Sequence, residues 1–403
     1  MKESVSSTGA GLPRGIWVLG GVSLLMDISS ELIHGLLPIY LVTVLGASAL
    51  VVGVVDGLAE ATALIVKVFS GVVSDYWGRR KPLALLGYAL GALAKPLFPL
   101  AASPAWVLVA RLVDRVGKGI RGAPRDALVA DLAPPALRGA AFGLRQSLDT
   151  VGAFLGPVLA VGFLTLWPDD LRSVFWVAVI PAWLAVLLLA VGIREAPRSV
   201  AARRENPLAG GRWRSLSSAY WGVVAFGGLF TLARSSEAFL ILRAGEGGLP
   251  VNWVPLVLIV MNVAYAATAY PVGRLSDRMG SRGLLAVGLV TLIAADLALA
   301  AWPAGFGLWL GIGLWGVHMG LTQGLLAARV AEVAPVALRA TAFGVFNLVA
   351  GVAILAASVL SGWIWEAAGP AYTFLMGAGL AVLTLLALAR GGGGPRPAEG
   401  DQP

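Results

Sequence analysis

The chain has 403 residues, of which 58% are hydrophobic and 13% are charged, and its formal net charge is +8. Soluble domains carry about 45 to 50% apolar and about 25% charged residues, so this composition excludes an ordinary soluble protein. Apolar runs, each long enough to cross about 30 Å of hydrocarbon as a helix, recur along the whole chain. They lack the alternation of barrel strands, and we therefore predict an all-α polytopic membrane protein.

The sequence also excludes several kinds of chemistry. It contains no cysteine, which removes disulfides and thiolate metal sites. It has no G-x-x-x-x-G-K-[ST] phosphate-binding loop and no convincing nucleophile–base set, so we expect neither an ATP motor nor an enzyme, and no cofactor. The positive charge fits membrane orientation better than a nucleic-acid partner. The first apolar run has no A-x-A-like cleavage site before it, and we expect it to be retained as a helix.

Glycine and proline clusters and charged runs divide the apolar sequence into twelve predicted spans. In chain order the spans cover residues 16–44, 49–73, 82–101, 104–130, 138–167, 173–193, 218–243, 253–273, 284–302, 305–332, 340–366 and 371–390. The longest polar interruption, residues 194–217, separates six spans from six. We therefore predict two six-helix bundles, residues 1–193 and 218–390, with a linker between them and a disordered tail at 391–403.

The basic residues between spans predict the orientation in the membrane. Connections after even-numbered spans carry most of the arginine and lysine, whereas those after odd-numbered spans carry little more than Arg172. By the positive-inside rule both termini are cytoplasmic. We expect an integral protein of a bacterial inner membrane, surrounded by lipid and monomeric.

The two halves of the chain repeat each other. Three segments recur in the same order, and each second copy lies 201 to 206 positions after the first. The pairs are APPALRGAAFG at 133–143 with APVALRATAFG at 334–344, GVVSDYWGRR at 71–80 with GRLSDRMGSR at 273–282, and SSE at 29–31 with SSE at 235–237. Such a repeat is expected of a transporter built from two related bundles.

Six plus six helices with GVVSDYWGRRK between spans 2 and 3 resemble the major facilitator superfamily of secondary transporters. The loop pattern of that family, G-x-x-x-D-x-x-G-R-[RK]-[RK], matches at Gly71, Asp75, Gly78, Arg79, Arg80 and Lys81, and in degraded form at Gly273, Asp277, Gly280 and Arg282. We expect this loop to act as a conformational latch in which Asp75 accepts hydrogen bonds from a helix N-terminus and the arginines reach acidic or carbonyl partners. The alternative is a turn that carries only orienting charges.

Two further elements resemble patterns of the same family. On span 4, RVGKGIRGAP resembles R-x-x-Q-G-x-G, with Arg115 at the arginine position and Lys118 in place of glutamine. On span 5, GAFLGP resembles the G-x-x-x-G-P element of the antiporter branches, with Gly152, Gly156 and Pro157, but without the further glycine pair that often follows. The second resemblance implies export.

Span 1 contains three ionisable residues at i, i+4 and i+7. Asp27, Glu31 and His34 therefore form one stripe about 10 Å long. An ionised group at the bilayer centre costs about 2.5 to 3.5 kcal/mol, so such residues normally face a water-filled cavity or a partner. We predict proton-binding or substrate-binding groups on the wall of a central cavity. The alternatives are a salt bridge from Asp27 or Glu31 to an arginine of span 4, or a divalent-metal site made by all three residues.

Spans 2 and 4 carry opposed charges. Asp56 and Glu60 are one turn apart on span 2, and span 4 has a basic stripe. That stripe consists of Arg111, Arg115, Lys118 and Arg125. A proton arriving on a carboxylate would release an arginine and couple protonation to helix movement. Alternatively, the stripe binds an anionic substrate. Arg145 and Asp149 on span 5 are spaced to form an internal pair.

The C-terminal half has few embedded charges, and they stand against a background of tryptophan and phenylalanine. They are Arg234, Glu237, Asp296 and His318. Glu237 is the repeat-mate of Glu31, so the two carboxylates either face each other or Arg234 neutralises Glu237. This asymmetry favours coupling in the first half and apolar substrate contacts in the second.

The leading hypothesis is a secondary transporter that works by alternating access and exports a small amphipathic molecule in a proton-coupled manner. We assign coupling to Asp27, Glu31, Arg115 and Glu237. We assign substrate binding to His34, Asp56, Glu60, Arg111, Lys118, Arg234, Asn262, Tyr265, Gln323 and Asn347. The alternatives are transport of a divalent metal or metal chelate, and transport of an organic anion on the span 4 stripe.

Overall fold

The computed structural model of the protein describes residues 12–77, 79–168, 170–195, 216–279, 281–335 and 338–390. These ranges contain twelve long helices, one of them broken into two segments, and no strand. After His34 the predicted span 1 continues in a short helix, Leu37–Ile39, and a π-helix, Tyr40–Val44. They are α1 Arg14–His34, α2 Ala49–Trp77, α3 Arg80–Ala94, α4 Pro104–Leu132, α5 Arg138–Leu166, α6 Leu171–Gly192, α7a Ser218–Ala233 with α7b Glu237–Glu246, α8 Leu256–Met279, α9 Ser281–Ala301, α10 Gly305–Val333, α11 Arg339–Ala367 and α12 Pro370–Arg390. The predicted all-α fold of twelve helices is confirmed.

Most of these helices have the length and composition of membrane spans. Among the described residues, nine helical segments are long and apolar enough to cross a membrane, and the predicted spans outside that set are α3, α4 and α10. In α4 the reason is its charge, because Arg111, Asp114, Arg115 and Arg121 are all buried. Buried charges of this kind require partners within the bundle.

Span 7 differs from its prediction. A continuous helix over 218–243 was expected, but α7a ends at Ala233 and α7b begins at Glu237. Arg234 has extended backbone angles, φ −98° and ψ 106°. Ser236 caps the second helix, since its Oγ accepts a hydrogen bond from the backbone N–H of Ala238 at 3.1 Å. Serine at this position satisfies an N–H group that would otherwise lack a partner, which stabilises the break.

The helices form two groups of six. In the first half, α1 packs on α5 and α6, and α4 packs on α2 and α3; in the second, α10 packs on α8 and α9, and α9 also contacts α12. The halves meet along α2 with α11 and at α5 with α8. Glycine permits the close approach, because a Cβ on Gly57 would lie 2.9 Å from the Cβ of Ser358.

The ends of the helices define two sides of the bundle. We call the side where α1 begins and α12 ends the termini side, and the other the far side. The two halves touch on the far side, where the backbone N–H of Leu50 donates to Glu366 Oε1 at 2.7 Å. A Cβ on Gly35 would lie 3.3 Å from Leu258 Cδ1, and one on Gly245 would lie 2.8 Å from Ile39 Cδ1. The structure is therefore closed on the far side.

On the termini side, the predicted latch makes its contacts within the first half. Arg80 forms an ion pair with Asp131 and donates to the carbonyl of Ala127 at 2.7 Å. Glu195 accepts hydrogen bonds from the backbone N–H groups of Arg80 at 2.7 Å and Lys81 at 2.9 Å. It thus supplies acceptors and a negative charge at the N-terminus of α3. Sequence reasoning missed Glu195, although an acidic residue just after span 6 is a usable signal.

The rest of the predicted latch and two predicted segments are outside what the structure describes. Gly71 lies in α2 against α4, where its Cβ would be 3.6 Å from Ala123 Cβ, and Arg79 is exposed immediately before α3. Gly78 lies outside the described residues, as do the side chains of Asp75 and Asp277. The same holds for most of the linker, 196–215, and for the tail, 391–403. The role of the loop as a latch therefore stays a prediction.

Candidate transport site between the two halves

The centre of the first half holds a ladder of ion pairs between α2 and α4. Arg111 Nη2 donates to Asp56 Oδ1 at 2.9 Å and lies 4.0 Å from Glu60 Oε1. One turn along, Arg115 Nη1 lies 3.3 Å from Glu60 Oε1. Both pairs come from residues at i and i+4, so the two charged stripes run side by side. The predicted opposition of charges is therefore present, and each arginine already has a carboxylate partner.

The imidazole of His34 joins this ladder to α1. Its Nδ1 lies 3.5 Å from Glu31 Oε2, and its Nε2 lies 3.9 Å from Asp56 Oδ1. A cavity of about 10 Å³ lies beside His34 and Asp56, and its other walls are apolar, including Leu37 and Val55. This volume accommodates about one water molecule. His34 therefore lies at the closed end of the central region.

Asp27 differs from Glu31 and His34 in its partner. Its carboxyl interacts with that of Asp149 on α5, close enough for a hydrogen bond between them. Asp149 Oδ1 is in turn 3.5 Å from Arg145 Nη1 and 3.9 Å from Arg125 Nη1. Asp27, Glu31 and His34 share one stripe of the continuous helix α1, as their spacing predicts, but the carboxyl of Asp27 has a different partner from those of Glu31 and His34. Arg145 and Asp149 do form the pair that their spacing indicates.

Nor does the structure gather the metal candidates Asp27, Glu31 and His34 around one point. In the described part of the chain, no three histidine or acidic side chains are arranged to hold a metal ion. Glu31 and His34 are in contact with each other, whereas Asp27 turns to α5.

A buried ion pair that sequence reasoning missed links α4 to the end of α3. Lys95 Nζ lies 2.9 Å from Asp114 Oδ1 and also donates to Ser30 Oγ of α1 at 3.1 Å. Lys95 is only 1% exposed. A lone lysine in the apolar run of span 3, directly before Pro96, is the signal that identifies it. Lys95 connects α1, α3 and α4, so these helices are held around one buried charge.

Lys118 differs from the other basic residues of α4 because it is exposed. It interacts electrostatically with Glu60 and Asp27, but has no hydrogen-bond or ion-pair partner in the described ranges. Lys118 lies nearer the termini side than Arg111. Because the far side is closed, we infer that water reaches Lys118 from the termini side. Lys118 is therefore the exposed cation of the predicted span 4 stripe.

The second half contributes Arg234 and Glu237 at the break in span 7. Glu237 interacts electrostatically with Arg234 and, across the interface, with Glu31 and His34. The guanidinium of Arg234 lies over the ring of Trp315, 5.6 Å from its centroid. Glu237 thus approaches Glu31 as the repeat predicts and also has Arg234 nearby, so both proposed partners are present.

The other predicted residues of the second half contribute less to the interface. Tyr265 interacts with Arg234, while Asn262 and Asn347 are half-buried and the side chain of Gln323 lies outside the described residues. Two further ionisable residues are packed inside the half and away from the interface. His318 Nδ1 lies 2.8 Å from the carbonyl of Gly288, and Asp296 is 3% exposed.

Comparison with known proteins identifies the family. A sequence model of the Major Facilitator Superfamily matches residues 19–256 and 248–402. The chain belongs to the Major Facilitator Superfamily. It is therefore a membrane transporter of a small-molecule substrate and not an enzyme, which confirms the resemblance drawn from the loop motif.

Relatives and solved structures agree with this assignment. The transporter is 32% identical over 383 residues to an MFS-type transporter of Methanocaldococcus jannaschii, covering 94% of each chain. It is 32% identical over 155 residues to the multidrug resistance protein MdtH of Photorhabdus laumondii, covering 38% of this chain and 37% of that protein. Its fold matches a mutant form of the nucleoside transporter NupG with a TM-score of 0.81 at 15% identity, covering 93% of this chain and 99% of that one.

Proposed function

We propose that this transporter exports small amphipathic molecules in exchange for protons by alternating access. The observation that carries the proposal is the electrostatic interaction of ionisable side chains from the two halves, beside the hydrogen bond that joins Ser236 to Asp56. Glu31 and His34 of α1 interact there with Glu237 of α7b. The side chain of Glu31 is 23% exposed, so it has access to water as well as to its partners. Groups in this position sense both the proton and the relative movement of the halves.

The ion pairs supply a route from protonation to helix movement. A proton on Glu60, whose side chain is 28% exposed, removes the charge that holds Arg115 to α2. A proton shared between Asp27 and Asp149 relieves the repulsion of two adjacent carboxylates and joins α1 to α5. Each change alters the attraction between helices that line the pathway, which is the requirement for coupling.

The aromatic side chains of the second half suit an amphipathic substrate. Trp315 lies beneath Arg234, and Phe239 packs against Trp365 with ring centroids 5.7 Å apart. Trp315 and Phe239 are buried in this conformation, so a substrate contacts them only after the helices move. Aromatic rings bind apolar and cationic groups without one fixed geometry. The similarity to the multidrug resistance protein MdtH, although it covers 38% of the chain, supports export of this class.

Proteoliposomes with an imposed pH gradient test the proposal. We add each compound of a panel of amphipathic cations and neutral molecules, and expect at least one to cause proton movement across the membrane. Glu31→Gln should abolish this proton movement. Glu332→Gln, at an exposed position near the end of α10, is the matched control and should retain it. Absence of substrate-dependent proton movement across the whole panel would contradict the proposal.

A second candidate function is transport of an organic anion, which the exposed ammonium group of Lys118 favours, because among the described residues it has no hydrogen-bond or ion-pair partner. Since Arg111 and Arg115 are already paired, Lys118 is the cation of the predicted stripe that remains for a carboxylate or phosphate. Equilibrium binding of a panel of dicarboxylates and phosphate esters distinguishes the candidates. Binding that is lost in Lys118→Gln, with no proton movement, favours the anion transporter.

We also propose a monomer in a bacterial inner membrane with the termini side facing the cytoplasm. The absence of native cysteine makes this simple to test, because single cysteines can be introduced and labelled in intact cells. Cysteine at Ser217, on the termini side, should react with a membrane-impermeant reagent only after the cells are permeabilised. Cysteine at Thr43, on the far side, should react without that treatment.

A further inference from the structure

Asp56 joins the two halves of the transporter at the point where span 7 is broken. Its Oδ1 accepts a hydrogen bond from Arg111 in the first half at 2.9 Å. Its Oδ2 accepts a hydrogen bond from the hydroxyl of Ser236, which caps the start of α7b in the second half. Asp56 is 8% exposed and is therefore nearly enclosed by these contacts.

Charged and titratable side chains approach this part of α2 from several of the helices packed against it. α1 contributes His34, with Nε2 3.9 Å from Asp56 Oδ1, and α4 contributes Arg111. Glu60 is the neighbouring acid on α2 itself, and α7b contributes Glu237, the residue directly after Ser236. On α11, the residues that face the same turn, Leu355 and Ser358, are uncharged. The carboxylate thus receives the guanidinium, the hydroxyl and the positive end of the α7b helix dipole.

The contact between Asp56 and Ser236 cannot survive opening of the far side. Alternating access moves one half against the other, and α2 and α7b belong to different halves. Opening therefore removes the Ser236 hydroxyl and the α7b terminus from the carboxylate, while Arg111 stays beside it. The free energy of the closed state depends on whether Asp56 carries its charge, because a charge-assisted hydrogen bond is stronger than a neutral one.

We propose that Asp56 is a proton-binding site that controls the far side of the transporter. The unprotonated carboxylate ties α2 to α7b and holds the far side closed, whereas proton binding releases α7b and favours opening. The inference rests on the proposed proton-coupled function and makes it more specific, since it places one proton site at the contact that must break. A proton then binds when the far side is open and leaves when the halves close on Asp56.

Spin labels on cysteines introduced at Thr43 and Trp253 report the distance between the two halves on the far side. In the parent chain with these two substitutions, we expect short distances at high pH and a growing long-distance population as the pH falls. Asp56→Asn should show the long-distance population at every pH. Ser236→Ala, which leaves the ladder of ion pairs intact, should shift the pH response so that opening occurs at higher pH.

Two control variants separate Asp56 from the other titratable groups nearby. Glu366→Gln changes another hydrogen bond between the halves on this side, and Glu60→Gln changes the adjacent acid of the ladder. Both should keep a pH response. A response that persists in Asp56→Asn but vanishes in His34→Gln would assign the effect to the imidazole and overturn the inference.

The distance measurement needs no substrate, so its failure differs from failure of the proposed function. Proton-coupled transport together with a pH response that Asp56→Asn leaves unchanged would overturn the inference alone. A pH response lost in Asp56→Asn, without proton movement on any substrate, would overturn the proposed exchange and leave Asp56 as the control of opening.

Discussion

The tripeptide Ser-Ser-Glu occurs once in α1 and once at the start of α7b, and the two copies have different structures. In α1, residues 29–31 lie in a continuous helix, where Ser29 Oγ donates to the carbonyl of Ala178 at 2.7 Å. In span 7, Ser235 and Ser236 lie in the interruption of the helix, and Ser236 caps α7b, which begins at Glu237. The same three residues therefore support either structure, and their tertiary partners decide between them.

The second serines of the two tripeptides, Ser30 and Ser236, have different hydrogen-bond partners. Ser30 receives a hydrogen bond from Lys95, a buried cation of its own half. Ser236 donates to Asp56, a carboxylate of the other half. At the offset of 202 positions that pairs Asp75 with Asp277 on the same two helices, the counterpart of Asp56 is the uncharged Leu258. The first half thus presents charge to the broken helix of the second, and the second has no equivalent group to break α1.

The largest effect on stability is expected from removing Lys95, the cation that donates to Ser30 in the first tripeptide. Lys95→Met removes the closest cation of the buried Asp114 and leaves Arg115 Nε at 3.8 Å, so much of the carboxylate charge is uncompensated and we expect the free energy of unfolding to fall by about 3 kcal/mol. Thermal unfolding in detergent micelles measures the change. Combining it with Asp114→Leu should recover much of the loss, because the uncompensated charge is then gone. A double variant as unstable as the single one would contradict this account.

The next effect concerns the packing that keeps α1 continuous. A Cβ on Gly156 of α5 would lie 2.7 Å from the Cβ of Glu31, so Gly156→Leu overpacks the contact and should cost about 1 to 3 kcal/mol. A side chain at Gly162 of the same helix meets nothing within 4 Å, and Gly162→Leu is the matched control. Equal unfolding temperatures for the two variants would show that the contact with α1 is unimportant for stability.

Ser30 and Ser236, the second serines of the two tripeptides, can be compared directly. Ser236→Ala removes a helix cap and the bond to Asp56, and should cost roughly 1 kcal/mol. Ser30→Ala removes one bond to Lys95 but places a better helix former inside α1, so its cost should be smaller. Chemical denaturation of both variants under one condition gives the comparison. A larger loss for Ser30→Ala would reverse our interpretation of the two tripeptides.

The smallest effect on stability is expected at the hydrogen bond between Leu50 and Glu366, which joins the halves on the far side. Glu366 accepts from the N–H of Leu50 at the start of α2, where a negative charge is worth about 0.3 to 1 kcal/mol. Glu366→Gln retains an acceptor and loses that charge, so the free energy of unfolding should fall by no more than this amount. The effect should also shrink in high salt, which unfolding at two salt concentrations tests.

Much of the candidate site was predictable because spacing fixes which residues share a helix face. The pairs of Asp56 and Glu60 with Arg111 and Arg115 follow from residues one turn apart on two helices. The approach of Glu237 to Glu31 follows from the repeat. Spacing along one helix does not show which other helix packs against each residue. For that reason the sequence grouped Asp27 with Glu31 and did not identify Asp149 of α5 as its partner.

The sequence by itself determined that the chain lies in lipid, that it forms twelve helices in two related halves, and which family it belongs to. The length of the apolar runs and the internal repeat are properties of the chain alone. Only the tertiary structure decided where span 7 breaks, which carboxylate meets Lys95 and which residue joins the halves. A buried charge is stabilised by whatever partner lies within a few ångströms, and that distance exists only once the helices have packed.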